Sequence, residues 1–244
     1  MGAAVEPFYP KVEWHVLVET VHALPLYASH KAYVRDKILL SKPDITVEEL
    51  VSRLGMTSGE AMVILWELRK TGGEVLQMLK VENVEKPRYT LAALGGTFSM
   101  IHVGHMALLL TAFQTAEKVI IGVTSDAYAS TLSKQHPIPS FEERTAMIRR
   151  FLAAQGWAER SRMVKLEDPY GPTVEDPTIE ALVVSPSTAS RAVEINSKRV
   201  ERMMKPLEVF VCPLVVAEDG QPVSSTRVMK GEITVEGRLV RRES

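Results

Sequence analysis

Along the first third of the chain the apolar positions recur at helical spacing, and the breaks between them carry capping signals. Ser29 to Leu40 predicts a helix, broken by Pro43-Asp44. Thr46 with Glu49 forms a capping box for a second helix, whose Leu50, Val51 and Leu54 make an apolar stripe and whose stop is Gly55. Thr57 with Glu60 repeats the device for a third helix, which carries Ala61, Ile64, Leu65 and Leu68 and ends at Lys70-Thr71-Gly72-Gly73. Glu74 to Val81 and Lys86 to Thr90 are then expected to pair as a hairpin. Before all of this lie Pro7, Pro10 and Pro25, around an apolar piece from Trp14 to Leu24, which reads as an arm with one helix.

From Tyr89 the pattern changes to short apolar runs alternating with helical stretches. Tyr89 to Leu94 reads as a strand closed by Gly95-Gly96, and Met106 to Phe113 as the helix after it. Val119 to Thr124 is a second strand, followed by a short helix from Asp126 to Leu132 and a loop from Lys134 to Pro139. Ser140 with Glu143 caps a helix with Met147, Ile148, Phe151 and Leu152 on its apolar face. Arg162 to Leu166 and Ala181 to Val184 are further strands, separated by the loop Asp168-Pro169-Tyr170-Gly171-Pro172. Ser187 to Lys205 predicts a helix with Ala189, Val193, Val200 and Met204 as its apolar face and Asn196 in the same stripe. Leu207 to Val216 is a fifth strand, and a last helix begins over Ser224 to Lys230. This alternation specifies an α/β fold, a Rossmann-like doubly wound parallel sheet over residues 89–240. A smaller, mainly helical domain over residues 1–88 precedes it.

Three helices and a hairpin resemble a winged helix-turn-helix, but the charges oppose nucleic-acid binding. Residues 1–88 hold 11 Lys plus Arg against 12 Asp plus Glu, and the third helix is expected to expose Glu60 and Glu67 where a DNA reader needs cations. Self-association or a protein contact, with Trp66 and Met62 as candidates, is the expected role. Over all 244 residues the net charge is -1, which gives no general pull toward nucleic acid or membrane. No apolar run approaches the roughly 18 residues of a membrane span, and the N-terminus lacks the apolar core of a signal peptide. The lone Cys212 fits a reducing, cytoplasmic setting.

The chemistry gathers in Leu94-Gly95-Gly96-Thr97-Phe98-Ser99-Met100-Ile101-His102-Val103-Gly104-His105. A glycine turn between a strand end and a helix start collects anions, because N–H groups and the positive end of the helix dipole face the crevice and no Cβ blocks Gly95 or Gly96. His102 and His105 enter the same space, with Gly104 between them. The pair suits an anionic transition state better than a metal, since the chain holds one cysteine and no H-E-x-x-H pattern. Ser224, Ser225, Thr226 and Arg227 would form a second phosphate cradle at the start of the last helix.

The H-x-G-H spacing is similar to that of the T/HxGH nucleotidyltransferase superfamily. The form GGTFxxxHxGH resembles the phosphopantetheine adenylyltransferases of archaeal type. So do GVTSD at Gly122 to Asp126, EER at Glu142 to Arg144, DPYGP at Asp168 to Pro172 and VVSP at Val183 to Pro186. EIN at Glu194 to Asn196, KPLEV at Lys205 to Val209 and PLVVAEDGQPVSSTR at Pro213 to Arg227 extend the likeness. The resemblance implies transfer of an adenylyl group from ATP to 4′-phosphopantetheine, with Mg²⁺ accompanying ATP and no dedicated metal site in the protein. It implies that His105 stabilises the α-phosphate in the transition state and His102 holds the ATP phosphates. Thr97 would contact the attacking phosphate and Lys134 would bridge the two substrates. Ser224 to Arg227 would hold the β- and γ-phosphates, and Asn196 and Arg199 would contact the nucleotide. Ser99 and Met106 depart from the Asp and Lys that many relatives carry, and Met106 thereby lacks a cation near the phosphates. Two other readings stand beside this one: a sister enzyme using nicotinamide mononucleotide, flavin mononucleotide or a cytidylyltransferase substrate, and a regulator that senses nucleotide without turnover.

Overall fold

The computed structural model describes residues 11–80, 86–132 and 137–240. The chain forms two compact units, Met1–Leu68 and Arg69–Ser244.

In the first unit every described element is helical: α1 (Lys11–His22), α2 (Tyr27–Tyr33), α3 (Leu39–Ser41), α4 (Val47–Leu54) and α5 (Ser58–Leu68), with a π-helical turn at Val34–Ile38 joining α2 to α3. The α4 cap is as expected. Thr46 and Glu49 exchange both capping-box bonds, and Gly55 takes the left-handed conformation, φ 67°, that ends the helix. At α5 only half of the expected box forms. The Glu60 N–H donates to Thr57 Oγ1, but the Glu60 side chain turns inward and receives His30 Nδ1 at 2.7 Å. Glu67 behaves alike, meeting Tyr27 Oη, His22 Nε2 at 2.7 Å and Lys31 Nζ at 2.8 Å. The two carboxylates expected on an exposed face instead knit α5 to α1 and α2. A helix that must bury Ala61, Ile64, Leu65 and Leu68 carries its i+3 and i+7 neighbours to the same side. Burial alone would raise the Glu67 carboxyl, yet the hydrogen bonds from Lys31, Tyr27 and His22 bring it below the usual carboxylate range.

The expected hairpin does not form over its described part. Residues Gly72–Met78 are a helix, α6, because Thr71 and Glu74 exchange another capping box. Tyr89 and Thr90 instead open β2 (Tyr89–Gly96), which is the central strand of the large sheet. Residues 81–85, the rest of the expected hairpin, lie outside the described residues, and no strand occurs among the described residues of the first unit. The compact units therefore part at Leu68, not near residue 88.

The second unit is built on a five-stranded parallel sheet. Besides β2 it contains β3 (Ala116–Thr124), β4 (Ser161–Leu166), β5 (Ala181–Val184) and β6 (Glu208–Val211), in the spatial order β4-β3-β2-β5-β6. The chain runs outward from β2 to β3 and β4, then crosses back to β5 and β6. Such a reversal opens a crevice beyond the carboxyl ends of the strands on either side of it, β2 and β5. Alternate residues of the strands feed two layers. Leu94, Val119, Ile121 and Val123 meet α7 (Val103–Thr115) and α9 (Phe141–Ala154), and Ala93, Ile120, Leu182 and Val184 meet α10 (Ala189–Glu201). A short helix, α8 (Asp126–Thr131), follows β3.

Two expectations are corrected here. The single strand over Leu207 to Val216 is two strands in different sheets, because Pro213 has no N–H to continue a ladder. β6 stays in the large sheet, while β7 (Leu214–Val216) pairs with β1 (Arg69–Thr71) in parallel, Lys70 opposite Val215. On α10 the residues turned inward are Ala192, Ile195 and Arg199, whereas Val193 and Val200 are exposed.

Strand β1 and helix α6 complete a third layer. Val75 is buried with Val103, Ala107, Val215, Val223 and Ile233, and Leu76 and Leu79 pack against the same cluster. A chain that begins at Arg69 should therefore keep the thermal stability of this unit. One that begins at Tyr89 uncovers the cluster and loses about 3 kcal/mol, the burial of one to two large side chains. For a unit of this size that is a fall in Tm of about 6–12 °C, to be read by scanning calorimetry on the two truncations.

Candidate active site

β2 ends beside β3, with Gly95 opposite Gly122 and Gly96 opposite Val123. The chain then turns through Thr97, Phe98 and Ser99 to His102, which stands at the N-terminal boundary of α7. The turn is closed from below. Phe98 adopts φ 53°, the left-handed region, which costs a residue with a side chain about 1–2 kcal/mol. Its ring is buried in the α7 and α9 layer, and a Cβ on Gly96 would stand only 3.0 Å from it. Gly96 thus serves the Phe98 ring as well as the crevice above.

The histidines stack. The rings of His102 and His105 are 4.0 Å apart between centroids and 25° from parallel, and His105 also lies 4.8 Å from the Phe98 ring. Gly104 makes the stack possible, since a Cβ there would come within 3.0 Å of His102 Cε1. His102 is buried, its Nδ1 has no hydrogen-bond partner among the described residues, and burial pushes its pKa down to about 4. It is neutral at pH 7. A neutral His102 places no positive charge against the His105 ring stacked on it.

The second cradle lies beside this one. Val223 O would stand 3.7 Å from a Cβ on Gly104, so the chain enters α11 (Ser225–Met229) next to the start of α7. Ser224 Oγ accepts from the Arg227 N–H at 3.3 Å and caps α11. The Arg227 guanidinium is held by Asp219 and, at 3.1 Å, by Glu232, so a phosphate would have to share or displace these carboxylates. Ser225 and Thr226 stand half-buried in the first turn. Among the described residues no three His, Cys, Asp or Glu side chains converge to hold a metal ion.

Asn196 closes a ring of two hydrogen bonds with the backbone of Leu207, at 3.0 and 2.8 Å, and so ties α10 to the approach to β6. Arg199 is buried and donates to the carbonyls of Lys205, Thr173, Asp176 and Ile179. The amide of Asn196 and the guanidinium of Arg199 are thus engaged with backbone groups. Lys134 lies outside the described residues. Met106 packs against the Val75, Val103 and Val223 cluster, so its apolar side chain answers to the α6 layer rather than to a missing cation near phosphate. Ser99 is buried in the turn.

Two further residues shape the site without being candidates in the sequence. Arg144 is fully buried, and its guanidinium reaches Thr97 O, Thr124 Oγ1, Pro139 O and Asp126 Oδ1. The signal was present in the pattern: Arg144 stands four residues before Ile148, inside the apolar stripe of α9. Leu166 is the second. Its side chain fills the space left by glycines at 95, 122 and 171, where added Cβ atoms would stand 3.3, 2.8 and 2.3 Å from it. The Asp168-to-Pro172 loop is shaped by that packing and by Asp168 Oδ1, which accepts from the N–H groups of Tyr170 and Gly171.

The profile of the cytidylyltransferase-like family matches residues 93–231. The chain belongs to that family. Within it, a phosphopantetheine adenylyltransferase of Methanopyrus kandleri is 42% identical over 146 residues, which cover 60% of this chain and 92% of that one. The phosphopantetheine adenylyltransferase of Methanosarcina barkeri is 43% identical over 150 residues, covering 60% and 91%. Among solved structures, a protein of unknown function from Archaeoglobus fulgidus is 32% identical, covers 50% of this chain and 88% of its own, and has a TM-score of 0.45. The family match begins inside β2 and ends just after α11, so it includes the glycine turn, the histidine pair and Ser224 to Arg227.

The depressed His102 pKa makes stability depend on pH. The unfolded chain takes up this proton near pH 6.5 and the folded chain only near 4. Stability is therefore complete above about pH 6.5 and declines as the pH falls toward 4, by about 3 kcal/mol from this group. Urea unfolding at pH 7 and at pH 4.5 should show that decline, and His102→Asn should flatten it.

Proposed function

We propose that the protein transfers the adenylyl group of ATP to the phosphate of 4′-phosphopantetheine, giving dephospho-coenzyme A and pyrophosphate. The observation that carries this reading is the stacked His102–His105 pair at the start of α7, between the Phe98-backed glycine turn and Ser224. The identity with phosphopantetheine adenylyltransferases along nearly their whole length names the acceptor.

In this reaction an oxygen of the pantetheine phosphate forms a bond to the α-phosphorus, and the bond from that phosphorus to the bridging oxygen of the β-phosphate breaks. The bonding pair leaves with pyrophosphate. The attacking oxygen is already an anion, so no protein base or nucleophile is required. Catalysis then rests on alignment and on charge stabilisation of the phosphoryl oxygens. His105 is assigned to the α-phosphate, and its stack on a neutral His102 lets it meet the growing negative charge without a competing cation behind it. His102 contributes as a neutral ring, and any contact it makes to the ATP phosphates is a hydrogen bond without charge. Thr97 is assigned to the attacking phosphate, in the turn that follows Gly95 and Gly96. Ser224, Ser225, Thr226 and Arg227 are assigned to the β- and γ-phosphates, with Asp219 and Glu232 exchanging Arg227 for the leaving group.

The described residues offer no preformed metal cluster. Mg²⁺ is proposed to arrive with ATP on the triphosphate oxygens, and no step is assigned to a protein-bound ion. A cytoplasmic setting, where ATP is abundant, fits this reading.

The test is pyrophosphate release from Mg-ATP with 4′-phosphopantetheine, nicotinamide mononucleotide or no acceptor. Release that requires phosphopantetheine and falls about a hundredfold in His105→Ala, the scale of one charge-stabilising group, is the expected result. Release with nicotinamide mononucleotide alone would reassign the acceptor, and ATP binding without release would make the protein a sensor.

A further inference from the structure

The geometry points to Arg144 as a positioning residue for the proposed reaction, acting through the turn that carries Thr97 and backs His105. This rests on the adenylyl-transfer reading and extends it to a residue that touches neither substrate. Arg144 Nη1 donates to the Thr97 carbonyl at 2.8 Å and to Thr124 Oγ1 at 3.1 Å. Nη2 donates to Asp126 Oδ1 at 2.8 Å and Nε to the Pro139 carbonyl at 2.8 Å. One guanidinium thus joins the turn after β2, the end of β3, the start of α8 and the approach to α9.

The Thr97 carbonyl is the informative partner. It belongs to the peptide that leads into Phe98, the residue in the left-handed conformation. That conformation is unfavourable for a side chain of this size and persists only where its surroundings hold it. Two contacts hold it. The ring is buried beneath Gly96, and Arg144 fixes the carbonyl on the other side. If the carbonyl is released, the peptide can rotate, and the Thr97 side chain and the Phe98 ring beside His105 shift together.

A second buried arginine supplies the control. Arg199 is equally inaccessible and also makes four hydrogen bonds, but all four go to carbonyls, those of Thr173, Asp176, Ile179 and Lys205, which lie outside the turn. A purely structural account gives the two arginines the same consequences. A positioning account separates them.

The experiment compares Arg144→Lys with Arg199→Lys in the full chain. Lysine keeps the charge but cannot span Thr97, Pro139 and Asp126 at once. In Arg144→Lys, kcat for pyrophosphate release is expected to fall about a hundredfold, the scale of a misplaced reacting group, while KM for ATP changes little. Amide exchange across Gly95 to Ser99 is expected to accelerate. In Arg199→Lys exchange across the turn should stay near the native rate. In Arg144→Ala, guanidinium added well below denaturing concentrations is expected to restore part of the lost kcat by filling the vacated space. Native kcat in Arg144→Lys, unchanged exchange in the turn despite lost kcat, or an equal acceleration of that exchange in Arg199→Lys would each overturn the assignment. Should the native chain release no pyrophosphate, the proposed reaction fails, and the exchange comparison still decides whether Arg144 holds the turn.

Discussion

A turn proposed to receive phosphate must be supported by protein on the face away from the ligand. The segment after β2 gains that support through a conflict of local and global preference. Phe98 is an unlikely residue for a left-handed turn, yet its ring is anchored in the α7 and α9 layer. The ring also bears on His105, which stacks on His102. Glycines at 96 and 104 are the points where this assembly leaves no space for a Cβ. The small residues of the motif are therefore needed by the packing around the Phe98 and His102 rings.

The two buried arginines show how similar physics serves different ends. An isolated buried cation is prohibitively costly, so each guanidinium must be met by acceptors on all sides. Arg199 meets carbonyls of the loop before β5 and of the segment before β6, and so fastens α10 to the sheet. Arg144 meets acceptors from segments that end at the crevice. Local sequence cannot separate these cases, because both arginines interrupt an apolar helical stripe in the same way.

The first unit uses buried carboxylates in a comparable role. Glu60 and Glu67 turn from the surface of α5 to histidine, tyrosine and lysine on α1 and α2. A helix whose acidic residues are consumed internally presents less charge to a partner than its sequence implies. Trp66 remains exposed on it. The β1 strand follows α5 directly and belongs to the catalytic unit, where α6 covers Met106 and Val103. Helix α6, between the helical unit and β2, is therefore part of the enzyme's own core.

Much was legible in the sequence. Short apolar and β-branched runs, the first closed by Gly95-Gly96, marked the parallel strands, and capping boxes at Thr46 and Ser140 marked helix starts, because these are local preferences expressed over a few residues. The glycine turn, the histidine pair and Ser224 to Arg227 were legible as short motifs. What the tertiary structure decided involves residues far apart in the chain. A strong capping box at Thr71 was overlooked, and only the burial of Val75 against Val103 and Val215 shows why residues 72–78 form a helix instead of a wing. The engagement of Asn196 and Arg199 with backbone, the commitment of Arg227 to Asp219 and the convergence on Arg144 likewise depend on long-range partners. A polar residue in an apolar stripe signals that acceptors await it, and only the fold determines whether they belong to a wall or to a site.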